Sequence, residues 1–340
     1  MENESGIVIK KAVYYTEQNV LDVTEIVSGL VKDNKLYFIV SNELFKKDPH
    51  PMLIKKLKID CIVDGVEKFM IADEGQVVEI ISKLSAKQIM TDIIIPTYNN
   101  EALTVNCFNS IKKYTKEGTY RIIWVDNNSK KKELVKQILE GVNHISIFLT
   151  ENQGFVGAVN EGLKISDTDS VCLLNNDTVV TDRWLEKLNS SLYNNKKLGI
   201  IGPMTGYGGD SPHSLVLNRQ LLSPEAEWWG IEKVNNYLEK NYSGRTIPVS
   251  FVAFLCALIK REVIDIVGLL DVNFDMGMWD DVDWNRQAQA HGYDIALAID
   301  TCIYHKGRST FHVVEREEGL DVKALLKKNK AYLDKKWGYK

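Results

Sequence analysis

Cysteine is scarce in this chain of 340 residues: the five present, Cys61, Cys107, Cys172, Cys256 and Cys302, are odd in number, widely spaced and mostly set in apolar strings. That pattern argues against a disulfide framework or a zinc cluster and fits buried thiols in a reducing compartment. An excess of either charge is also lacking. Lysine and arginine number 42 against 46 acidic residues, and the formal net charge of -4 offers no global attraction to nucleic acid or acidic lipid. The longest apolar run, Val249 to Ile259, contains Ser250 and is far too short to span a bilayer. The stretch Met1 to Gly6 is acidic and polar, which predicts no signal peptide. The expected location is therefore cytoplasmic, with any membrane contact peripheral and on the inner face. Internal repeats and low-complexity linkers are absent as well. What the chain has in quantity is apolar residues, 44% of the total, enough for a sizeable core in two domains.

The pattern changes near residue 90. Before it, short alternating segments such as Leu36 to Val40 and Leu57 to Cys61 are separated by turn clusters at Lys47 to Pro51 and Asp64-Gly65. This predicts a small antiparallel β-sandwich-like module over residues 1–88. After it, strands alternate with helices: strands at 92–95, 121–125, 145–149 and 170–174, and helices at 101–114, 131–140, 155–165 and 182–193. Leu103, Cys107, Phe108, Ile111 and Tyr114 recur at helical spacing, leaving one apolar face to lie on a sheet. Residues 89–340 thus read as an α/β domain, a mostly parallel sheet with helices on both faces. Val249 to Ile259 is expected to return to the sheet as a buried strand, Lys323 to Lys340 to form a lysine-rich C-terminal helix, and Met204 to Pro212 a glycine-rich loop.

Residues just past the carboxyl ends of such strands line the ligand crevice. Here they are polar at four successive strands: Thr97-Tyr98-Asn99, Asp126-Asn127-Asn128-Ser129, Asn152-Gln153-Gly154 and Asn175-Asn176-Asp177. Each one alone is better read as a helix cap or turn, which favour Asn, Asp and Ser. Four together form a constellation, and a carboxylate at the end of a buried strand can meet a metal and a phosphate there.

The first strand with its tip, Ile93-Ile94-Ile95-Pro96-Thr97-Tyr98-Asn99, is followed by Trp124-Val125-Asp126-Asn127-Asn128-Ser129, Asn152-Gln153-Gly154-Phe155 and Leu173-Leu174-Asn175-Asn176-Asp177. Later come Gly268-Leu269-Leu270-Asp271, Asp280-Asp281-Val282-Asp283 and Tyr304-His305. Seven pieces in this order resemble family 2 glycosyltransferases of the GT-A fold, over about residues 91 to 312. The resemblance implies an inverting transfer of a sugar from a nucleoside diphosphate, UDP or dTDP, to an acceptor hydroxyl, in bacterial-type polysaccharide or glycoconjugate synthesis.

It also implies roles. Pro96, Thr97, Tyr98, Asn99, Asp126 and Asn128 would hold the nucleoside, and Asn152 and Gly154 would border the nucleotide-sugar, Gly154 by giving its backbone room. Asn175, Asn176 and Asp177 stand where the family has Asp-X-Asp. Asp177 would bind a divalent cation, Mn2+ or Mg2+, with His305 as second protein ligand and the diphosphate supplying further oxygens. Asn175 lacks the charge of the usual first Asp, which predicts weaker metal affinity. Lys306 or Arg308 would neutralise the leaving diphosphate. Asp281 would be the general base for the acceptor hydroxyl and Asp280 an acceptor-binding neighbour. A position at a helix start predicts a lowered pKa for Asp281; for Asp283, complementing the helix dipole is itself the better account.

Acceptor recognition is the least determined. Trp228 and Trp229 suit either a sugar face or the core, and Trp279 joins them as a candidate. The acceptor remains a saccharide, a lipid-linked intermediate, a protein or a small molecule, and self-association stays open. A nucleotidyltransferase would need a Gly-rich basic loop after the first strand, which Pro96-Thr97-Tyr98-Asn99-Asn100 is not. A non-catalytic carbohydrate or nucleotide binder is opposed by Asp177, Asp281 and His305.

Overall fold

The computed structural model describes residues 6–32, 35–82, 89–206, 211–223, 229–307 and 309–338. Trp228, Arg308 and the glycines of the 207–210 stretch lie outside them. The chain divides into two compact units, residues 1–88 and 89–340.

In the first unit β1 (Ile7–Tyr15), β2 (Val20–Asp22), α1 (Thr24–Gly29), β3 (Val31–Lys32), β4 (Lys35–Ile39), α2 (Asn42–Phe45), β5 (Lys56–Val63), β6 (Val66–Asp73) and β7 (Val77–Ile81) follow in order. They form two antiparallel sheets, β2, β1, β5, β6 and β3, β4, β7. Alternation sets the packing: Leu57, Ile59, Cys61 and Val63 of β5 point inward and meet Leu36, Phe38 and Val78 of the smaller sheet in one core.

The second unit runs β8 (Thr91–Thr97), α3 (Glu101–Tyr114), β9 (Tyr120–Asp126), α4 (Glu133–Leu139), β10 (His144–Phe148), α5 (Gly154–Ile165), β11 (Ser170–Leu174), β12 (Thr178–Val179), α6 (Trp184–Asn194), β13 (Leu198–Thr205), α7 (Ile231–Tyr242), β14 (Thr246–Pro248), β15 (Cys256–Lys260), α8 (Arg261–Val267), α9 (Asp280–Ala290), β16 (Asp294–His305), α10 (Ser309–Glu318) and α11 (Val322–Trp337). The sheet order is β10, β9, β8, β11, β15, β13, β16, β12, with β14 also on β16. The run β10 to β11 is parallel, as is the β13–β16 pair, while β15 enters antiparallel to both β11 and β13. Strands β8, β9, β11 and β15 are buried almost throughout, which is why they read as unbroken apolar runs. Helix packing covers both faces: Ile94, Val159 and Leu163 belong to one core layer and Ile93, Phe108 and Leu188 to the other.

The apolar run from Val249 is not one strand. Only Cys256–Lys260 is extended, and residues 249–255 are irregular. At the centre of this stretch the backbone bonds to side chains instead: Asn285 accepts from Val252 N at 2.9 Å and donates to Val252 O at 3.0 Å, and His213 Nε2 accepts from Ala253 N at 2.9 Å. His213 Nδ1 donates to Pro203 O, so the ring is neutral, and burial pushes its pKa down to about 4.

Candidate active site

A cavity of about 860 Å³ lies at the ends of β8 and β11 and is closed by the start of α9, the end of β16 and faces of α10 and α11. Pro96, Thr97, Tyr98, Asn152, Gly154, Asn175, Asn176, Asp177, Trp279, Asp280, Asp281 and His305 all line it.

Two elements distant in sequence bring Asp177 and His305 together. The antiparallel pairing of β12 with β16 sets Thr178 opposite His305, and Lys306 N donates to Asp177 O. His305 Nε2 then lies 3.1 Å from Asp177 Oδ1 and 3.5 Å from Asn175 Nδ2. Burial opposes the charge on Asp177, but hydrogen bonding by His305 and Ser309 outweighs it and holds the carboxyl below its usual range. One carboxylate, one imidazole and the Asn175 amide are a donor set that fits a hard or borderline divalent ion with coordination left over for ligand oxygens. No cluster of three or more His, Cys, Asp or Glu side chains able to hold a metal occurs among the described residues.

Asp280 and Asp281, which also line the cavity, open α9. Asp280 is 4% exposed, and its Oδ2 has no hydrogen-bond partner among the described residues. Burial first, then repulsion by Asp281, raises its pKa. The lowered pKa expected for Asp281 is corrected: burial pushes it up to about 6, outweighing the backbone amides of Val282 and Phe254 that favour its charge. Desolvation exceeds the helix-terminus effect because the carboxyl faces a partly closed, largely apolar space. Trp279 Nε1, Ser211 Oγ and His305 Nδ1 are likewise buried without partners among the described residues, and all of these groups line the cavity. Orphaned polar atoms grouped in one space mark where a polar ligand would be held.

Several donor-side candidates lie outside the lining or have polar groups engaged by the protein itself. Asp126 is fully buried and does not line the cavity. Its Oδ2 accepts from Lys132 Nζ at 2.9 Å and from Ser129 N at 3.2 Å. Thr97 is tied beside it, accepting from Trp124 Nε1 at 2.8 Å. Asn99 and Asn128 adopt left-handed backbone, with φ of 54° and 66°, and stand outside the lining. Asn99 accepts from Lys130 N at 2.9 Å, while Asn176 donates to Thr104 Oγ1 at 2.9 Å. The room at Gly154 is used by the protein: a Cβ there would stand 2.6 Å from Asp275 O. Trp229 does not line the cavity; it packs edge-on against Tyr237 at 5.3 Å, with Lys233 Nζ 4.4 Å from its ring centre. That favours core packing.

Motif reading gave no role to residues that shape the site. Asn127 donates to Asn152 Oδ1 at 2.7 Å and to Gly154 O at 3.0 Å, and accepts from Gln153 N at 2.8 Å, which joins the ends of β9 and β10 to the start of α5. From α10, Glu318 accepts from Asn152 Nδ2 at 3.1 Å, and Glu317 from Lys130 Nζ at 2.7 Å. Burial, then Glu318, raises the Tyr98 pKa to about 12. Only Asn127, as a polar strand tip, carried a sequence signal.

The structure of GalNAc-T7 with UDP, GalNAc and Mn2+ is similar at 13% identity and a TM-score of 0.50, over 65% of this chain and 44% of that one. The mannosyltransferase PcManGT from Pyrobaculum calidifontis, in complex with GDP-Man and Mn2+, is similar at 15% identity and a TM-score of 0.49, over 67% of this chain and 61% of that one. The chain spans less than two thirds of the length of either. No curated protein matches it. The similarity to GalNAc-T7 shows the GT-A fold. The Glycosyl transferase family 2 profile matches residues 92–267, which is just over half of the chain, and the chain belongs to that family.

Proposed function

We propose that this chain transfers a sugar, with inversion, from a UDP- or dTDP-sugar to an acceptor hydroxyl, and that Asp177 and His305 hold a divalent cation, Mn2+ or Mg2+, at the diphosphate. The observation that carries this reading is one cavity lined by both the Asp177–His305 pair and the Asp280–Asp281 pair. The cation would supply positive charge to the diphosphate oxygens as the leaving group forms. Tyr98, Asn152 and Asn175 border the donor. Lys132 covers Asp126, so a pyrimidine N–H reaches that carboxylate only after Lys132 moves. Asp281 takes the acceptor proton while the acceptor oxygen bonds to the anomeric carbon; the bond from that carbon to the diphosphate breaks, and its electron pair leaves with the nucleoside diphosphate. A carboxyl with a pKa of about 6 suits this task, being ionised at neutral pH yet more basic than a free Asp. Asp280 and Trp279 Nε1 would bind acceptor hydroxyls, as buried groups in the cavity wall without other partners among the described residues. The acceptor class and a place in bacterial-type glycoconjugate synthesis remain part of the proposal. Among the described residues no helix is long and apolar enough to cross a membrane.

The test is a thermal-shift and donor-hydrolysis screen of UDP- and dTDP-sugars with Mn2+, Mg2+ or EDTA. One donor should stabilise the wild type only with metal and intact Asp177, and be hydrolysed slowly only with intact Asp281. Absence of nucleotide binding under every metal condition would reject the assignment.

A further inference from the structure

We propose that Asn329, on the C-terminal helix α11, is the positioning residue for the Asp280–Asp281 pair, and that it acts by holding the loop that leads into the pair. The inference rests on the roles given above to those two carboxylates. Asn329 is fully buried. Its Nδ2 donates to the carbonyl oxygens of Phe274 and Gly277, each at 2.8 Å, and of Met278 at 3.3 Å. Three carbonyls around one atom require a nitrogen there, so the orientation of the amide follows from its surroundings.

The loop needs such a hold. Asp275, Gly277, Met278 and Trp279 have φ of 52°, 101°, 74° and 72°. Three of these four are not glycine, and L-residues keep left-handed backbone only where their surroundings impose it. Carbonyls in such a turn are not paired by a helix or strand ladder, and the Asn329 amide meets three of them. Asp280 follows Trp279 directly, so a shift or rotation of the loop moves both carboxylates relative to Asp177 and His305.

The rest of α11 grips the flanks of this segment. Tyr332 Oη donates to Asp271 at 2.9 Å, Lys336 Nζ to Asp271 at 2.7 Å and to Asp283 at 2.8 Å, and Trp337 Nε1 to Asp283 at 2.8 Å. Positions 329, 332, 336 and 337 fall on one helical face. The flanking contacts fasten the ends of the 271–283 stretch, whereas Asn329 bonds to the loop immediately before the pair. Helix α11 lies beyond the residues matched by the family profile, so the motifs carry no trace of this role.

The groups proposed to hold the cation and diphosphate, Asn175, Asp177 and His305, stand at the ends of β11 and β16, whereas the Asn329 bonds go to the carbonyls of Phe274, Gly277 and Met278; on the donor side the loop meets Gly154, at Asp275 and Met276. Loss of the Asn329 amide should therefore separate binding from turnover. The experiment compares Asn329→Ala and Asn329→Asp with Leu333→Ala, which removes a buried apolar side chain from the same helix. UDP binding with Mn2+ is read by calorimetry, and turnover with whichever UDP- or dTDP-sugar the wild type hydrolyses. Both Asn329 variants should bind UDP like the wild type while kcat falls on the order of 10²-fold, the usual effect of misplacing a reacting group by about 1 Å. The Asp variant, which sets a carboxylate against carbonyl oxygens, should be the worse. Leu333→Ala should lower the melting temperature yet keep kcat. If Asn329→Ala reduces kcat no more than Leu333→Ala does, or weakens UDP binding in proportion, the proposal is overturned. A wild type that binds no nucleotide would reject the transferase assignment instead. Hydrogen exchange then reads the loop directly: amides at 275–281 should exchange faster in Asn329→Ala than in Leu333→Ala, and equal rates would overturn the proposal.

Discussion

His305 Nε2 stands 3.1 Å from Asp177 Oδ1 because the two-residue strand β12 pairs with the end of the long strand β16, more than a hundred residues later, with Thr178 opposite His305. The contact is a backbone consequence before it is a side-chain one: the β12–β16 register brings both groups to one edge of the cavity. The backbone pairing itself therefore holds both groups in place, which lowers the ordering cost of taking up an ion.

Replacing either group should remove the metal-dependent part of donor binding. In a thermal-shift assay at about 100 times Kd, ligand stabilisation amounts to about 2.7 kcal/mol. Asp177→Ala and His305→Ala should each lose the increment added by Mn2+, whereas Trp229→Ala should keep it.

The raised pKa of Asp281 predicts the pH profile. The base works only when ionised, so kcat should rise with pH through about 6 and level off above it, and Asp281→Asn should abolish that limb together with turnover. Stability follows the opposite sense. A carboxyl whose folded pKa lies above its unfolded value of about 3.9 binds its proton more tightly when folded, so its contribution falls as pH rises from about 4 to 6 and is constant beyond. Asp281→Asn should therefore be at least as stable as the wild type at pH 7 in urea denaturation.

Gly154→Ala should damage the site from a distance. At φ of 70° an L-residue is strained, and the added Cβ would collide with the backbone of Asp275 and Met276 at 2.6 to 2.9 Å. The left-handed conformation alone costs about 1–2 kcal/mol. Chemical denaturation should show at least that loss, with turnover reduced further because the displaced backbone belongs to the loop entering Asp280.

Lys336→Met should destabilise the protein, with about 3–5 kcal/mol as the upper limit, since Asp283 would keep its buried carboxylate with two neutral donors, Trp337 Nε1 and Gln287 Nε2, and no cation. Burial opposes the charge of Asp271 as well, but hydrogen bonds from Lys336, Asn273 and Tyr332 depress its pKa to about 2. Its stabilising contribution is thus present above the unfolded value near 4 and lost as pH falls through about 2. Denaturation curves of wild type and variant should converge towards the acid end of that window.

Trp229→Ala should cost stability, about 3–5 kcal/mol at the upper limit for a fully buried aromatic and less here because the ring is only partly buried. Turnover per folded molecule should not change. Trp279→Phe, by contrast, removes an indole N–H from the cavity wall and should raise the acceptor KM while leaving UDP affinity intact.

Much of the α/β unit was legible along the chain, because its strands are buried on both faces and its helices carry a regular apolar stripe. The helix expected at 101–114 is α3, and that expected at 155–165 is α5 to within one residue. The polar tips of β8, β10 and β11 do meet in one cavity. The strand expected over 249–259 failed in its first half because hydropathy marks burial, not hydrogen-bond partners: Asn285 and His213 satisfy that backbone, and both are remote in sequence. The pKa of Asp281 was misjudged for a related reason, since a helix start is a local feature and desolvation is a sum over everything packed around it.

Sequence alone determined the alternation of strands and helices, the polar residues at the strand ends and the acidic opening of α9, because these depend on side-chain period and local backbone preference. Only the tertiary structure decided which tips open into the cavity, that Lys132 covers Asp126, that Gly154 makes room for backbone and that Asn329 braces the loop before Asp280. Apart from the Lys132–Asp126 pair, six residues apart, those outcomes depend on contacts between groups 50 to 130 residues apart, where burial and hydrogen-bond competition, rather than local propensity, set the free energy.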